Sequence, residues 1–149
     1  PLQRVYRQYD QQAYWILLIQ VRNEVDRVIE ELRIVGELGS SLEAEVELYV
    51  KAGSQLFNIL AALGEELRFV LITSEAKLLT INPPKQATHL KINAEELALN
   101  IISTVGKKTK CARCWHRLAD VGQDVKHPDI CLRCVDNLPD GKGETRVYA

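Results

Sequence analysis

The sequence contains no methionine, and its first 110 residues contain no cysteine. A chain without Met cannot begin with its own initiator, and this one opens on Pro1. The simplest expectation is a segment of a longer protein. Long hydrophobic runs are also missing: nothing approaches the ~18–20 apolar residues of a membrane span. The longest run, Ala13–Ile19, has seven residues. It lacks the basic flank and small-residue cleavage site of a signal peptide. A soluble intracellular chain with no membrane partner is therefore expected. Neither sign of charge dominates, with 19 Lys and Arg against 20 Asp and Glu and a formal net charge of −1. That balance alone points to no nucleic-acid or membrane surface. With 149 residues, 46% of them hydrophobic and 26% charged, the composition excludes a disordered or collagenous chain. The length allows one ordinary domain, or a small domain with an appendage.

What is present is concentrated near the end. Cys111, Cys114, Cys131 and Cys134 form a C-x2-C pair, a sixteen-residue interval and a second C-x2-C pair. This is the spacing of a four-thiolate zinc site. Two intervening residues let a tight turn aim both sulfurs at one metal while turn amides point at them, and two such knuckles complete a tetrahedron. A disulfide scaffold would spread its cysteines through the chain, and paired redox motifs at this spacing are rare. The expectation is one structural Zn2+. Four thiolates leave no open position for a catalytic water. His116 and His127 lie near enough to replace a thiolate, but the four sulfurs already fill the shell and suit zinc best. His89 lies outside the module and reads as a surface residue.

The near-zero charge hides a division. Residues 1–104 carry 10 basic and 14 acidic side chains, and residues 105–149 carry 9 and 6. Four thiolates and a zinc ion would bring the second segment close to neutrality. Its basic residues are clustered, however: Lys107, Lys108, Lys110, Arg113 and Arg117 fall within eleven residues, around Trp115. Cations for phosphates and a planar ring for an unpaired base are what single-stranded RNA recognition uses. The alternative is that Trp115 packs over the knuckle as core, and the pattern leaves both open.

Along the first segment, Tyr14, Leu17, Leu18, Val21, Val25, Val28, Ile29 and Leu32 follow a helical period. One apolar stripe needs something to pack against, and partner helices upstream are one possibility. Gly36 and Gly39 interrupt the helix. From Leu42 to Val50 apolar residues alternate with Glu43, Glu45 and Glu47, the pattern of a half-buried strand. Its carboxylate face would repel phosphate and reads as solvated. Gln55–Leu63 is expected as a helix stopped by Gly64, Glu65–Val70 as a further helical turn, and Ala76–Ile81 as a strand. Residues 82–88 read as a polar surface loop. Asn93-Ala94-Glu95-Glu96 looks like a helix start, and 99–105 like a strand. In the cysteine module each knuckle is expected to cap a short hairpin, with 145–148 as a closing strand. The fold class is α+β: an N-terminal long helix (1–36), a small mixed α/β junction domain (37–105) and a C-terminal zinc-ribbon-like finger (106–149).

Several of these stretches carry a resemblance. Gly39-Ser40-Ser41-Leu42-Glu43-Ala44-Glu45-Val46, Val21-Arg22-Asn23-Glu24-Val25, Leu63-Gly64-Glu65-Glu66-Leu67-Arg68-Phe69-Val70, Lys110-Cys111-Ala112-Arg113-Cys114-Trp115-His116 and Ile130-Cys131-Leu132-Arg133-Cys134 together resemble, in order, the C-terminal region of isoleucyl-tRNA synthetases. The likeness thins over 81–108 and the first ten residues. It implies a monomeric cytoplasmic class I ligase as parent, joining isoleucine to its tRNA at the expense of ATP. Residues 1–36 would be the last helix of the anticodon-binding domain. The implied partners are the anticodon region of tRNA(Ile) and the rest of the synthetase chain. On this resemblance Lys107, Lys108, Arg113, Trp115 and Arg117 are candidate tRNA contacts, with Trp115 and Arg113 towards the anticodon loop and the others near phosphates. The family's ATP-binding motifs, His-Ile-Gly-His and Lys-Met-Ser-Lys-Ser, do not occur in these residues, so ATP belongs to the parent alone and this chain is expected to be inactive by itself.

Three rivals are set beside this reading. A DNA-repair glycosylase has a similar finger and uses an N-terminal Pro, but Leu2 stands here where that family has Glu. A structural zinc ribbon used only for docking would bury Trp115 and pair the basic cluster with Asp residues downstream. The valyl and leucyl relatives share the helical anticodon-binding type, but the four-cysteine finger favours the isoleucine member.

Overall fold

In a computed structural model, residues 11–105 and 107–143 are described. Helix α1 (Gln11–Ile34) is followed by a 3-10 turn (Ser41–Glu43) and strand β1 (Ala44–Val50). Next come α2 (Gln55–Leu63), a second 3-10 turn (Gly64–Glu66), α3 (Leu67–Leu71) and β2 (Glu75–Leu79). Strands β3 (Thr88–Ile92) and β4 (Glu95–Ser103) complete a four-stranded sheet of order β2-β1-β4-β3. β1 pairs parallel with β2 and antiparallel with β4, and β3 pairs antiparallel with β4. The architecture is the expected α+β, with the four cysteines beyond the sheet.

Alternation along β1 decides the layering. Ala44, Val46, Leu48 and Val50 enter one core with Leu97 and Leu99 of β4 and with the apolar residues of α1, α2 and α3. Successive strand residues point to opposite faces, so the helices cover the even-numbered face of β1 and leave Glu45 and Glu47 on the other. The α1 stripe (Tyr14, Leu17, Leu18, Val21, Val25, Val28 and Ile29) is buried in this core. The chain's own sheet and short helices cover it, which answers the expectation of partner helices for that face.

Helix α2 starts as its sequence directs, with Ser54 Oγ accepting from Phe57 N at 3.1 Å. It ends at Gly64, whose φ of 52° and N–H to Ala61 O close the last turn. Gly39 has a different part in the next turn. Its N–H donates to Glu43 Oε2 at 2.9 Å, and an added Cβ would lie 2.8 Å from the same oxygen. This tight loop turns the chain from α1 into β1.

Three local expectations need correction. The strand expected from Leu42 begins at Ala44, because residues 41–43 form the 3-10 turn. Thr88–Ile92 is strand β3 rather than the end of a loop and an ambiguous stretch. Asn93-Ala94 starts no helix: the two residues sit at φ of 50° and 64°, the two-residue left-handed turn that matches the twist of a hairpin, and they join β3 to β4. The capping chemistry at this motif serves another helix. Glu95 Oε2 accepts the N–H of Leu56 at 2.8 Å, in the first turn of α2. Long-range pairing overrode the local signal here.

Candidate metal centre and nucleic-acid interface

The chain leaves the sheet at Ser103 and is pinned at once, since Thr104 donates from both N (2.8 Å) and Oγ1 (2.7 Å) to Glu43 O. The first knuckle closes by Cys111 N to His116 O and Trp115 N to Cys111 O, both 2.9 Å. An antiparallel bridge between Lys110 and Arg117 makes it the expected small hairpin. The second knuckle differs from expectation: Cys131 and Cys134 lie at the start of a short helix, α4 (Leu132–Asp136), and not on a hairpin. The expected strand at 145–148 lies outside the described residues.

The four sulfurs lie within 4.8 Å of one another. Cys111 Sγ is 3.7 Å from Cys134 Sγ, and Cys114 Sγ is 3.8 Å from Cys131 Sγ. A tetrahedron with Zn–S near ~2.3 Å has edges of about 3.8 Å, so these two edges match what zinc requires. These separations are far above the ~2.05 Å of a disulfide. Cys111, Cys131 and Cys134 are buried and Cys114 is half-buried. No histidine belongs to the cluster among the described residues. His116 instead turns its ring edge-on to Phe69 of α3, with centroids 6.4 Å apart.

The thiols are not equivalent. Burial raises the Cys111 pKa, but backbone N–H groups of Cys114, Cys131 and Arg113 outweigh it and bring the value down to about 6. The N–H to sulfur distances are 3.5 Å from Cys114 and 3.4 Å from Cys131. Burial pushes Cys131 and Cys134 upwards. A bound zinc ion would supply the positive charge that lets all four ionise together. Its role would be to hold the fold of the finger.

Trp115 does not pack over the knuckle. The residue is 61% exposed, and its backbone is left-handed, with φ of 68°. This conformation costs a residue with a Cβ roughly 1–2 kcal/mol, and the knuckle hydrogen bonds hold it there. Lys110 Nζ lies 5.2 Å from the indole centroid, a cation–π contact. Lys107 and Arg113 are also exposed. The Arg113 guanidinium leans on the C-terminal end of α4, 3.4 Å from Cys134 O and 3.5 Å from Asn137 O. Among the described residues no carboxylate lies within ion-pair distance of Lys107, Lys110 or Arg113.

Lys108 and Arg117 point the other way. Lys108 Nζ pairs with Glu45 and lies 3.6 Å from Glu75 Oε2. Arg117 reaches Glu43 Oε1 from Nε (3.4 Å) and Nη2 (3.2 Å), and its Nη1 donates to Lys108 O at 3.1 Å. The side chains of this pair are only 20% and 13% exposed. Contrary to the expectation of a solvated acidic face, Glu43 and Glu45 are paired, and Glu47 accepts from Asn100 Nδ2 at 2.6 Å. Hydrogen bonding from Lys108 is what chiefly raises that lysine's pKa through Glu45, and the Gly39 N–H is what chiefly lowers that of Glu43. Sequence reasoning did not assign Glu43, Glu45, Glu75, Phe69 and Arg133 to the finger's support. The one available signal was the run of carboxylates at alternate positions of β1.

Comparison with known proteins adds two findings. Residues 109–137 match the zinc finger found in FPG and IleRS. Over 137 residues the chain is 45% identical to the isoleucine–tRNA ligase of Shewanella sp. (strain MR-4), covering 92% of this chain and 14% of that protein. Over 138 residues it is 46% identical to the isoleucine–tRNA ligase of Pseudoalteromonas atlantica, with the same two shares. The Shewanella oneidensis ligase is 45% identical over 137 residues. The chain thus spans about one-seventh of the length of the relatives it matches. Likeness over 92% of the chain extends far beyond the 29 finger residues, which separates it from a glycosylase that shares the finger alone. With its four-cysteine cage and its sheet domain, the chain carries the zinc finger found in FPG and IleRS and is similar, over nearly its whole length, to the C-terminal region of bacterial isoleucine–tRNA ligases.

Proposed function

We propose that this chain forms part of the tRNA grip of an isoleucine–tRNA ligase, its finger presenting Trp115, Arg113 and Lys107 to the anticodon region of tRNA(Ile). ATP-dependent aminoacylation would be carried out by catalytic parts whose motifs these residues do not contain, and the chain alone is inactive in this reading. The observation that carries the proposal is Trp115: a large aromatic residue, 61% exposed, held in a strained backbone on the knuckle beside Lys110. Burying it would gain more stability than exposing it, unless the ring has a partner. An unpaired base is a suitable partner, because every base has a face to stack and the surrounding cations meet phosphates.

Zinc-loaded protein in a Trp15→Phe background, titrated with an anticodon stem–loop RNA, provides the test. Trp115 fluorescence should be quenched on binding. Trp115→Ala should weaken binding by ~1–3 kcal/mol, about 5–150-fold. Lys107→Ala should lower the salt slope by about one unit or less. Wild-type affinity in both variants across salt concentrations would reject this face.

A second reading, a zinc ribbon used for docking alone, is favoured by one observation: Lys108 and Arg117 turn inward to carboxylates. It expects Trp115 fluorescence to be insensitive to RNA.

A further inference from the structure

Of the three cations that the sequence suggests for phosphate contact, two, Lys108 and Arg117, are turned to carboxylates of the sheet side instead. Glu45 of β1 and Glu75 of β2 are directly opposite one another in the parallel register. Like charges placed so are destabilising, unless a cation lies between them. Lys108 is that cation, pairing with Glu45 and lying 3.6 Å from Glu75 Oε2. Lys77, itself on β2, is 3.7 Å from Glu75 Oε1, but among the described residues only Lys108 reaches both carboxylates.

Two further contacts lie elsewhere on the same boundary. Arg117 spans from Glu43 Oε1 to Lys108 O, and its backbone N donates to Ser74 Oγ at 3.1 Å. Ser74 Oγ in turn bonds Leu42 O. On α3, the Phe69 ring receives the Arg133 guanidinium at 5.2 Å and the edge of His116. Lys108 enters the finger, Arg117 closes its first knuckle, and Arg133 belongs to its second. Three contacts from three parts of the finger fix its orientation, where one contact would leave it free to swing.

We propose that Lys108 and Arg117 are positioning residues: with Glu45, Glu75 and Glu43 they latch the finger onto the sheet and so aim the face that carries Trp115 and Arg113. Neither side chain touches RNA in this arrangement. The proposal rests on the reading of that face as the RNA contact. If the latched orientation is the binding-competent one, releasing it lowers apparent affinity by the fraction of molecules still latched.

A charge exchange tests this on the zinc-loaded chain, using Lys108→Glu alone and combined with Glu45→Lys. Zinc content, the orientation of 107–137 relative to the sheet from residual dipolar couplings, and affinity for an anticodon stem–loop RNA are measured together. Lys108→Glu sets three carboxylates against each other. It should disorder the finger's orientation with zinc retained and weaken RNA binding about tenfold or more. The double variant restores one cation between two anions, and should restore both orientation and affinity. Recovery of orientation without affinity would show that Lys108 meets RNA directly and would overturn the proposal. So would an orientation unchanged by Lys108→Glu. If orientation follows the charges but the unmodified chain does not bind the RNA, the latch stands and the RNA reading falls.

Discussion

Chelating the metal should melt the finger and leave the sheet domain folded. Among the described residues the finger's cluster has little apolar material: Cys111, Cys131 and Cys134 are buried, with Leu118, Val121, Ile130 and Cys114 partly buried around them. Three partly covered aliphatic side chains contribute at most a few kcal/mol, since a fully buried one is worth ~1.5–3 kcal/mol. Zinc binding in finger peptides is worth an apparent ~10–16 kcal/mol, most of it folding free energy. The metal therefore dominates residues 107–137. The other core is built from α1, α2, α3 and the sheet, and among the described residues includes none of the finger. What the sheet domain loses with the finger is the cation between Glu45 and Glu75, the guanidinium on Glu43, the Arg117 N–H on Ser74 Oγ, and the contacts of Arg133 and His116 with the Phe69 ring. The more exposed pairs of Lys108 are worth about 1 kcal/mol or less each, and the more buried Arg117–Glu43 pair somewhat more. Hydrogen exchange read by mass spectrometry, with and without a strong chelator, distinguishes the two halves. Amides of 107–137 should lose protection, with Cys111 N and Trp115 N among the first. Those of β1 and β4 should change by a small factor, and readdition of zinc should reverse the effect. Collapse of β1–β4 protection together with the finger would refute the argument that the cores are independent. Retained protection at 107–137 without metal would refute the dominance of zinc.

Other outcomes follow from single contacts. The Gly39 N–H and then Arg117 hold Glu43 below its ordinary value of 4.5, so its contribution is present above that pH and is lost as pH falls through the depressed value. Lys108, raised above 10.5 chiefly by Glu45, contributes below that pH and loses its part as pH rises through the raised value. Finger docking in zinc-loaded protein, followed by residual dipolar couplings, should thus weaken as pH rises through the raised Lys108 value, and docking unchanged there would remove Lys108 from the latch. Glu95→Ala removes the acceptor of Leu56 N and should cost about 0.5–2 kcal/mol, as loss of a helix cap does. An unchanged thermal midpoint would show that water replaces the carboxylate without loss.

The parts legible in the sequence were those governed by short-range geometry. A C-x2-C turn aims two sulfurs at one point wherever it stands, so the convergence of Cys111, Cys114, Cys131 and Cys134 could be read without coordinates. The period of 3.6 in α1 and of two in β1 are likewise local, and they placed the buried face of each element. The turn at Asn93-Ala94 was not legible, because its motif serves equally as a helix start until a neighbouring strand selects the hairpin. The exposure of Trp115 was not legible either, since whether a ring packs or projects depends on the left-handed backbone that the closed knuckle imposes. Least legible of all was the role of the basic cluster. Lys108 meets Glu45 across 63 positions of sequence, and Arg117 meets Glu43 across 74. No local pattern distinguishes a lysine that will meet a phosphate from one that will meet a carboxylate. Charge acts through space, and only the folded chain brings the acidic face of β1 up to the finger, turning two cations inward and leaving Lys107, Lys110 and Arg113 outside.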